Sequence, residues 1–297
     1  MRELALLAGV LAALLGSADA ARSDPVAPET TITSAPARFV KTSSATFAFT
    51  SDQRRTHFAC ALDSSAFFDC SSPYTLNAPD GEHHFWVVAI AVNGVTDPTP
   101  AAWTWTVDTV APKLVQRRLA VSYGRLAISW GALSAAGADH IVVTRSTDRR
   151  KEPTQEVYRG GGSGYVDSRF RNGVYHRYRL VAWDRAGNVS APVDVVVGPD
   201  ALLLAPKDGA RLHAPARLRW RPVRKASFYN VQLYRGGKKV LSTWPPSASL
   251  RLGRSWEYGG HRYRLKAGRY TWYVWPGFGP LAHSRYGRLL GQSSFVV

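Results

Sequence analysis

The side chains whose types and spacing could do chemistry lie near the end of this 297-residue chain, and they are cations and aromatic rings rather than nucleophiles. Arg217, Arg219 and Arg221 alternate with Leu218 and Trp220, and Arg262, Arg264 and Lys266 alternate with Tyr263 and Leu265. On a strand this alternation sends the apolar residues to one face and the cations to the other. Successive cations then stand about 6.5 to 7 Å apart, close to the phosphate spacing of a polymer backbone, so the chemistry is polyanion binding. A second set is uncharged. If Tyr270, Trp272 and Val274 point inward, Tyr273 and Trp275 point outward beside Gln232 and Tyr234. Exposed rings next to an amide suit stacking on sugars or on a protein partner; the alternative is that the Trp244-Pro245-Pro246 segment covers them.

Catalytic constellations are missing from the sequence. It contains no Gly-rich phosphate loop, no His-Glu-x-x-His and no Gly-x-Ser-x-Gly elbow. The last 98 residues hold only Asp200, Asp208 and Glu257 as acids, too few to place a glycosidase carboxylate pair. His83 and His84 are neighbours on a predicted strand and point to opposite faces, so they cannot share a metal. The expectation is a non-enzyme with no cofactor and no metal.

The net charge of +17 comes from 38 Lys+Arg against 21 Asp+Glu. Thirty of the 38 are Arg, a bias that GC-rich codon usage produces along a whole chain. Codon usage does not produce a gradient, and there is one. Residues 21–112 carry 5 cations and 9 acids, 113–199 carry 14 and 7, and 200–297 carry 18 and 3, for net charges of −4, +7 and +15.

Residues 1–20 read as a secretory signal peptide: Arg2, an apolar run from Leu4 to Gly16, and a small-x-small site at Ala18-Asp19-Ala20. The run is shorter than the roughly 20 residues a membrane span needs, and none follows it. An exported chain permits disulfides. Cys60 and Cys70 flank a predicted hairpin and sit ten apart about Ser65, which predicts a cross-strand disulfide; a metal or catalytic thiol pair would lack a third ligand or a base.

The elements that must position these groups are strands. From residue 21 onward short alternating runs such as 45–49, 126–130 and 229–233 are broken by Gly, Pro, Asn and Asp, and no stretch holds helical periodicity for three turns. Turn-rich seams at Asp108 to Pro112 and at Gly198-Pro199 divide the chain into 28–110, 111–199 and 200–297, each the size of a seven-stranded sandwich. The predicted fold class is all-β, three sandwiches in tandem.

The second and third pieces resemble each other: Leu126-x-Ile128-x-Trp130 corresponds to Arg217-Leu218-Arg219-Trp220, and each is followed by an aliphatic strand ending near Arg145 or Arg235. With Leu265-x-x-Gly268-x-Tyr270-x-Trp272-x-Val274, which looks like a tyrosine-corner segment, they resemble fibronectin type III modules; in the second piece the corner residue is either Tyr175 or Tyr178. The first piece resembles a repeated immunoglobulin-like module of secreted bacterial, especially actinobacterial, proteins. The resemblance runs from Pro28-Glu29-Thr30-Thr31-Ile32-Thr33-Ser34 through Cys60 to Tyr74, Asp80-Gly81-x-His83-x-Phe85 and Trp105-Thr106-Val107-Asp108-Thr109. It departs at Ala91-Val92-Asn93-Gly94, where that family has an Asp-x-x-Gly-Asn turn. In this fold strands B and E are neighbours, so the resemblance implies that Arg217, Arg219, Arg221, Arg262, Arg264 and Lys266 share one solvent face.

The expected protein is an extracellular, monomeric, non-catalytic rod without a transmembrane segment in its mature form, attached to the cell surface through its basic third piece. Its expected partners are anionic wall polymer or extracellular polysaccharide, with DNA or surface proteins as further candidates. The alternatives are a carbohydrate-binding or enzyme-accessory module using the exposed aromatics, and a pure spacer.

Overall fold

The computed structural model describes residues 26–63, 66–115, 118–213, 216–283 and 285–297, so the predicted signal peptide lies outside the described residues. The fold is all-β and built of sandwiches, with only two three-residue 3₁₀ turns among the described residues. By contacts the chain forms two compact units, one of residues up to 38 with 44–78 and 82–105, the other of 39–43, 79–81 and 106–297.

In the first unit, Ser44–Ser51 pairs with Thr30–Ser34 and with Tyr74–Asn77, and His57–Leu62 pairs with Phe68–Cys70 and with Gly81–Ile90. The alternating strand Ser44–Ser51 turns Phe47 and Phe49 inward, where Phe47 stacks on Phe85 with ring centroids 4.0 Å apart. His83 is buried, with Nδ1 2.6 Å from the Asp63 carboxylate, so it is held as a structural group. The predicted disulfide joins Cys60 to Cys70. Its register differs from the one expected: Cys60 faces Phe68 and Phe58 faces Cys70, so the bridge runs diagonally between rungs two apart rather than across one rung. Converting both cysteines to serine is expected to lower stability by about 3 kcal/mol, the chain entropy released by opening so short a loop; urea denaturation with and without reductant measures this.

The second unit contains two sandwiches. In the second sandwich a sheet of Arg118–Ser122, Arg125–Ser129 and Gly164–Asp167 faces a sheet of Gln155–Gly160, His140–Ser146, His176–Trp183 and Val193–Val197. In the third, Leu203–Ala205, Arg217–Trp220 and Ser249–Arg251 form the smaller sheet. Lys238–Thr243, Phe228–Arg235, Arg269–Phe278 and Gly291–Val296 form the larger one, with the short strands Ala210–Arg211 and Arg285–Tyr286 beside Gly291–Val296 and Arg269–Phe278. Leu218, Trp220, Val231, Leu233, Tyr270 and Trp272 are buried between these two sheets. Val121 packs against both this core and that of the second sandwich, and the Tyr123 hydroxyl donates to the Arg288 carbonyl at 2.9 Å, so the junction between them is packed.

Candidate functional site

The third sandwich separates the six predicted cations into two groups. Arg217 and Arg219 are exposed on their strand, and Arg221 follows it, also exposed. The strand beside them is not the one predicted. Arg217–Trp220 pairs with Ser249–Arg251, bringing Arg251 directly opposite Arg217, whereas His261–Arg264 pairs only with Ser255–Tyr258 in a separate two-stranded ribbon. The expectation of one six-cation face is therefore corrected. Alternation fixes which side of a strand a residue takes but not which strand lies next to it. The local cause is Gly259-Gly260, whose φ values of +59° and +75° supply the two positive-φ positions of a two-residue hairpin. That hairpin folds Arg262 and Arg264 back along Ser255–Tyr258 instead of along the sandwich.

The first group keeps a like-charge pair, Arg217 opposite Arg251, an arrangement that costs stability in a sheet. The second group lines a cleft of about 460 Å³. Its cations are Arg262, Arg264 and Lys266 from the ribbon and its exit, with Arg235 and Lys238 from a neighbouring hairpin. That hairpin turns through Gly236-Gly237, at φ +55° and +79°, and its closing pair is Arg235 opposite Lys238. Trp256, Tyr263 and Tyr270 supply aromatic walls. The ribbon is pinned to the sandwich: the Trp256 indole donates to the Val240 carbonyl at 2.6 Å and stacks on Tyr263, and both rings pack against the core. Arg235 lies over the Tyr270 ring and donates to the Ala267 carbonyl at 2.7 Å. The Tyr270 hydroxyl accepts from the Lys266 amide at 3.0 Å and donates to its carbonyl at 3.1 Å, the tyrosine corner read in the sequence.

Charge pairing divides the two sandwiches sharply. In the second, Arg177 and Arg179 share Glu152 and Asp194, Arg159 pairs with Glu156, Arg185 stands 3.7 Å from Asp139, and Arg145 pairs with buried Asp167. Among the described residues, none of the 18 cations of residues 200–297 stands in an ion pair.

In the second sandwich Asp167 accepts from the Tyr178 hydroxyl, from Arg145 and from the Arg169 amide, each at 2.8 Å. Burial pushes its carboxyl up, but these hydrogen bonds outweigh burial and hold it below the ordinary carboxylate value. Burial and the bond to Asp167 drive the Tyr178 hydroxyl far up. Neither tyrosine proposed for the second corner has the corner geometry: Tyr178 is committed to a side chain eleven residues upstream rather than to nearby backbone, and Tyr175 lies just outside the strand.

The uncharged set lies together on the larger sheet, half-buried rather than exposed. Tyr273 stacks on Trp275 at 5.9 Å, Tyr234 meets Tyr273 edge-on at 5.4 Å, and all three are half-buried on the outer face of the larger sheet. The Gln232 side-chain amide nitrogen donates to Asn230 Oδ1 at 2.7 Å, and Gln232 Oε1 accepts from the Tyr234 hydroxyl at 3.0 Å. Trp244 joins the set rather than covering it. It is exposed, its indole donates to the Tyr286 hydroxyl at 2.7 Å, and with Asn230, Gln232, Ser242 and Trp275 the pair lines a shallow groove of about 380 Å³.

Sequence reasoning missed Arg235, Lys238, Trp256 and Tyr286, and gave Trp244 only as part of a cover for the aromatic face. The signal for the first three was present: Gly236-Gly237 is a two-residue hairpin turn between Arg235 and Lys238, and Gly259-Gly260 is a second, with Trp256 on the strand that enters it. No helix among the described residues is long and apolar enough to cross a membrane.

No family model matches the chain, and no curated protein does. Among solved structures, the fibronectin(III)-like modules of Clostridium thermocellum CbhA are similar at 17% identity, covering 57% of this chain and 93% of theirs with a TM-score of 0.37. The FN1-FN3 domains of chicken CNTN1 are similar at 14% identity over 90% of this chain and 98% of theirs, with a TM-score of 0.26. Domains A168-A170 of titin are similar at 12% identity over 59% and 66%, with a TM-score of 0.41.

Proposed function

We propose that this is an exported, non-catalytic binding protein that attaches to anionic polymers of a cell surface or matrix through its third sandwich. The observation that carries the reading is the contrast in pairing: five arginines of the second sandwich stand beside carboxylates, while the cations of the third pair with none among the described residues. A cation left unneutralised is free to release the counterions of a polyanion, which is where such binding draws its free energy. The leader-like residues 1–20 and the Cys60–Cys70 bridge support action outside the cytoplasm.

A second reading is favoured by the groove at Trp244, Trp275 and Tyr286, whose rings, amides and hydroxyls suit neutral sugars. One experiment tests both. The full chain is mixed with an insoluble anionic polysaccharide and with an insoluble neutral one at low and at high salt. The first reading expects retention on the anionic polymer that salt removes. Salt-resistant retention on the neutral polymer alone would replace it with the second.

A further inference from the structure

We infer that the cleft formed by Arg235, Lys238 and the Ser255–Tyr258/His261–Arg264 ribbon is a binding pocket for a single phosphate-bearing sugar unit. This rests on the reading that the third sandwich binds anions, and it adds a defined site and ligand chemistry to it.

The second sandwich shows what the cleft lacks. Arg145 stands opposite Tyr178 there, and Arg235 stands opposite Tyr270 here, on corresponding strand pairs. Arg145 is neutralised by Asp167 at 2.8 Å and donates a further hydrogen bond to the Gln155 side-chain oxygen at 3.0 Å. Gln155 faces Arg145 across the hairpin; the residue facing Arg235 in the same way is Lys238, a second cation. Asp167 pairs with Leu126, two residues beyond the Ile128–Tyr165 rung. The matching rung here is Leu218–Leu250, and two residues on, Leu252 bonds to Ala216. A buried leucine thus occupies the place of the neutralising carboxylate. The arginine is retained, and one of its partners is replaced by an apolar group and the other by a like charge.

The ribbon then adds to the charge. Between the strands ending at Asp167 and starting at His176 lie residues 168–175, whereas between those ending at Arg251 and starting at Arg269 lie residues 252–268, more than twice as many. The longer segment brings Arg262, Arg264 and Lys266 to Arg235 and Lys238, and no carboxylate is among the described residues that line the cleft, although Glu257 stands opposite Arg262 in the ribbon. Concentrating five cations around one small volume is unfavourable unless an anion fills it. Three of the five are arginines, whose planar forks take phosphate oxygens in pairs. The indole of Trp256 and the ring of Tyr263 add apolar faces on which a pyranose can lie. At about 460 Å³ the cleft falls within the range of small-ligand sites.

The test is calorimetric titration of the full chain at low salt with glucose 6-phosphate, inorganic phosphate and glucose. Saturable binding of glucose 6-phosphate, about tenfold or more tighter than inorganic phosphate, is expected. The triple variant Lys238→Ser, Arg262→Ser, Arg264→Ser should lose it, whereas Arg217→Ser, Arg219→Ser, Arg251→Ser should leave it unchanged. All six side chains are exposed and make no side-chain hydrogen bond among the described residues, so both variants should keep the wild-type urea midpoint. The methyl diester of glucose 6-phosphate separates an internal polymer unit, which it imitates, from a free sugar phosphate, which only the monoester imitates. Glucose 6-phosphate binding no tighter than phosphate, or weakened equally in both variants, would overturn the pocket while leaving polyanion retention as a separate result.

Discussion

Replacing Asp167 with asparagine is expected to destabilise the second sandwich by about 3 to 5 kcal/mol, the cost of leaving a buried charge without its partner. The Arg145 and Asp167 side chains are 14% and 2% exposed, so water cannot take over the lost contact. Asparagine matches the carboxylate in shape but removes the charge, and its side-chain nitrogen would turn a donor either toward the Arg169 amide or toward Arg145 and Tyr178. Urea denaturation followed by tryptophan fluorescence measures the loss. Changing Arg145 and Asp167 together to methionine and leucine should recover part of it, because the uncompensated charge disappears; Tyr178 would still lack its acceptor. The same carboxylate sets a pH dependence. Its folded-state value is depressed, so its contribution is fully present above the unfolded value near 3.9 and is lost as pH falls through the folded value. The wild-type midpoint should therefore fall on acidification below about pH 4 by more than that of Asp167→Asn. A variant as stable as the wild type would show that the triad is not structural.

The second large effect concerns binding. Changing Arg217, Arg219, Arg251, Lys238, Arg262 and Arg264 to serine should weaken binding to a phosphodiester polymer by about 10³-fold or more at low salt, since each neutralised phosphate contributes counterion release. The control is Arg177→Ser with Arg179→Ser. These two arginines carry formal charge equal to any pair in the third sandwich but already face Glu152 and Asp194. Their loss should change polymer affinity little. Equal weakening in both sets would mean that bulk charge, and not unpaired charge, does the binding.

Much of this organisation was legible in the residues. The runs 45–49 and 229–233 lie within strands, 126–130 lies within one but for Trp130 at its end, and each places its alternate large apolar side chains in a core because a period of two encodes sidedness locally. Tyr270 was legible as a corner because its hydroxyl reaches only four residues back along the chain. The arrangement of the cations was not legible, for a physical reason. Arg262-x-Arg264 has the same alternation whether it runs beside Arg217–Trp220 or folds onto Ser255–Tyr258, and only the Gly259-Gly260 turn distinguishes the two. The neutralisation of Arg145 was equally hidden, since Asp167 lies 22 residues away and meets it only when two sheets face each other. The gradient of formal charge was visible in the sequence, but which charges are cancelled is a property of the fold.

The most direct test of the central claim is the dependence of affinity on salt for a single-stranded oligonucleotide, used as a flexible phosphodiester polymer. Plotted as log affinity against log salt, the slope for a single strand is about −0.7 per phosphate neutralised. With six cations engaged, the full chain should give about −4, and the six-serine variant should flatten the line while Arg177→Ser with Arg179→Ser leaves it unchanged. A wild-type slope near zero, or one that survives the six substitutions, would contradict an anion-binding third sandwich.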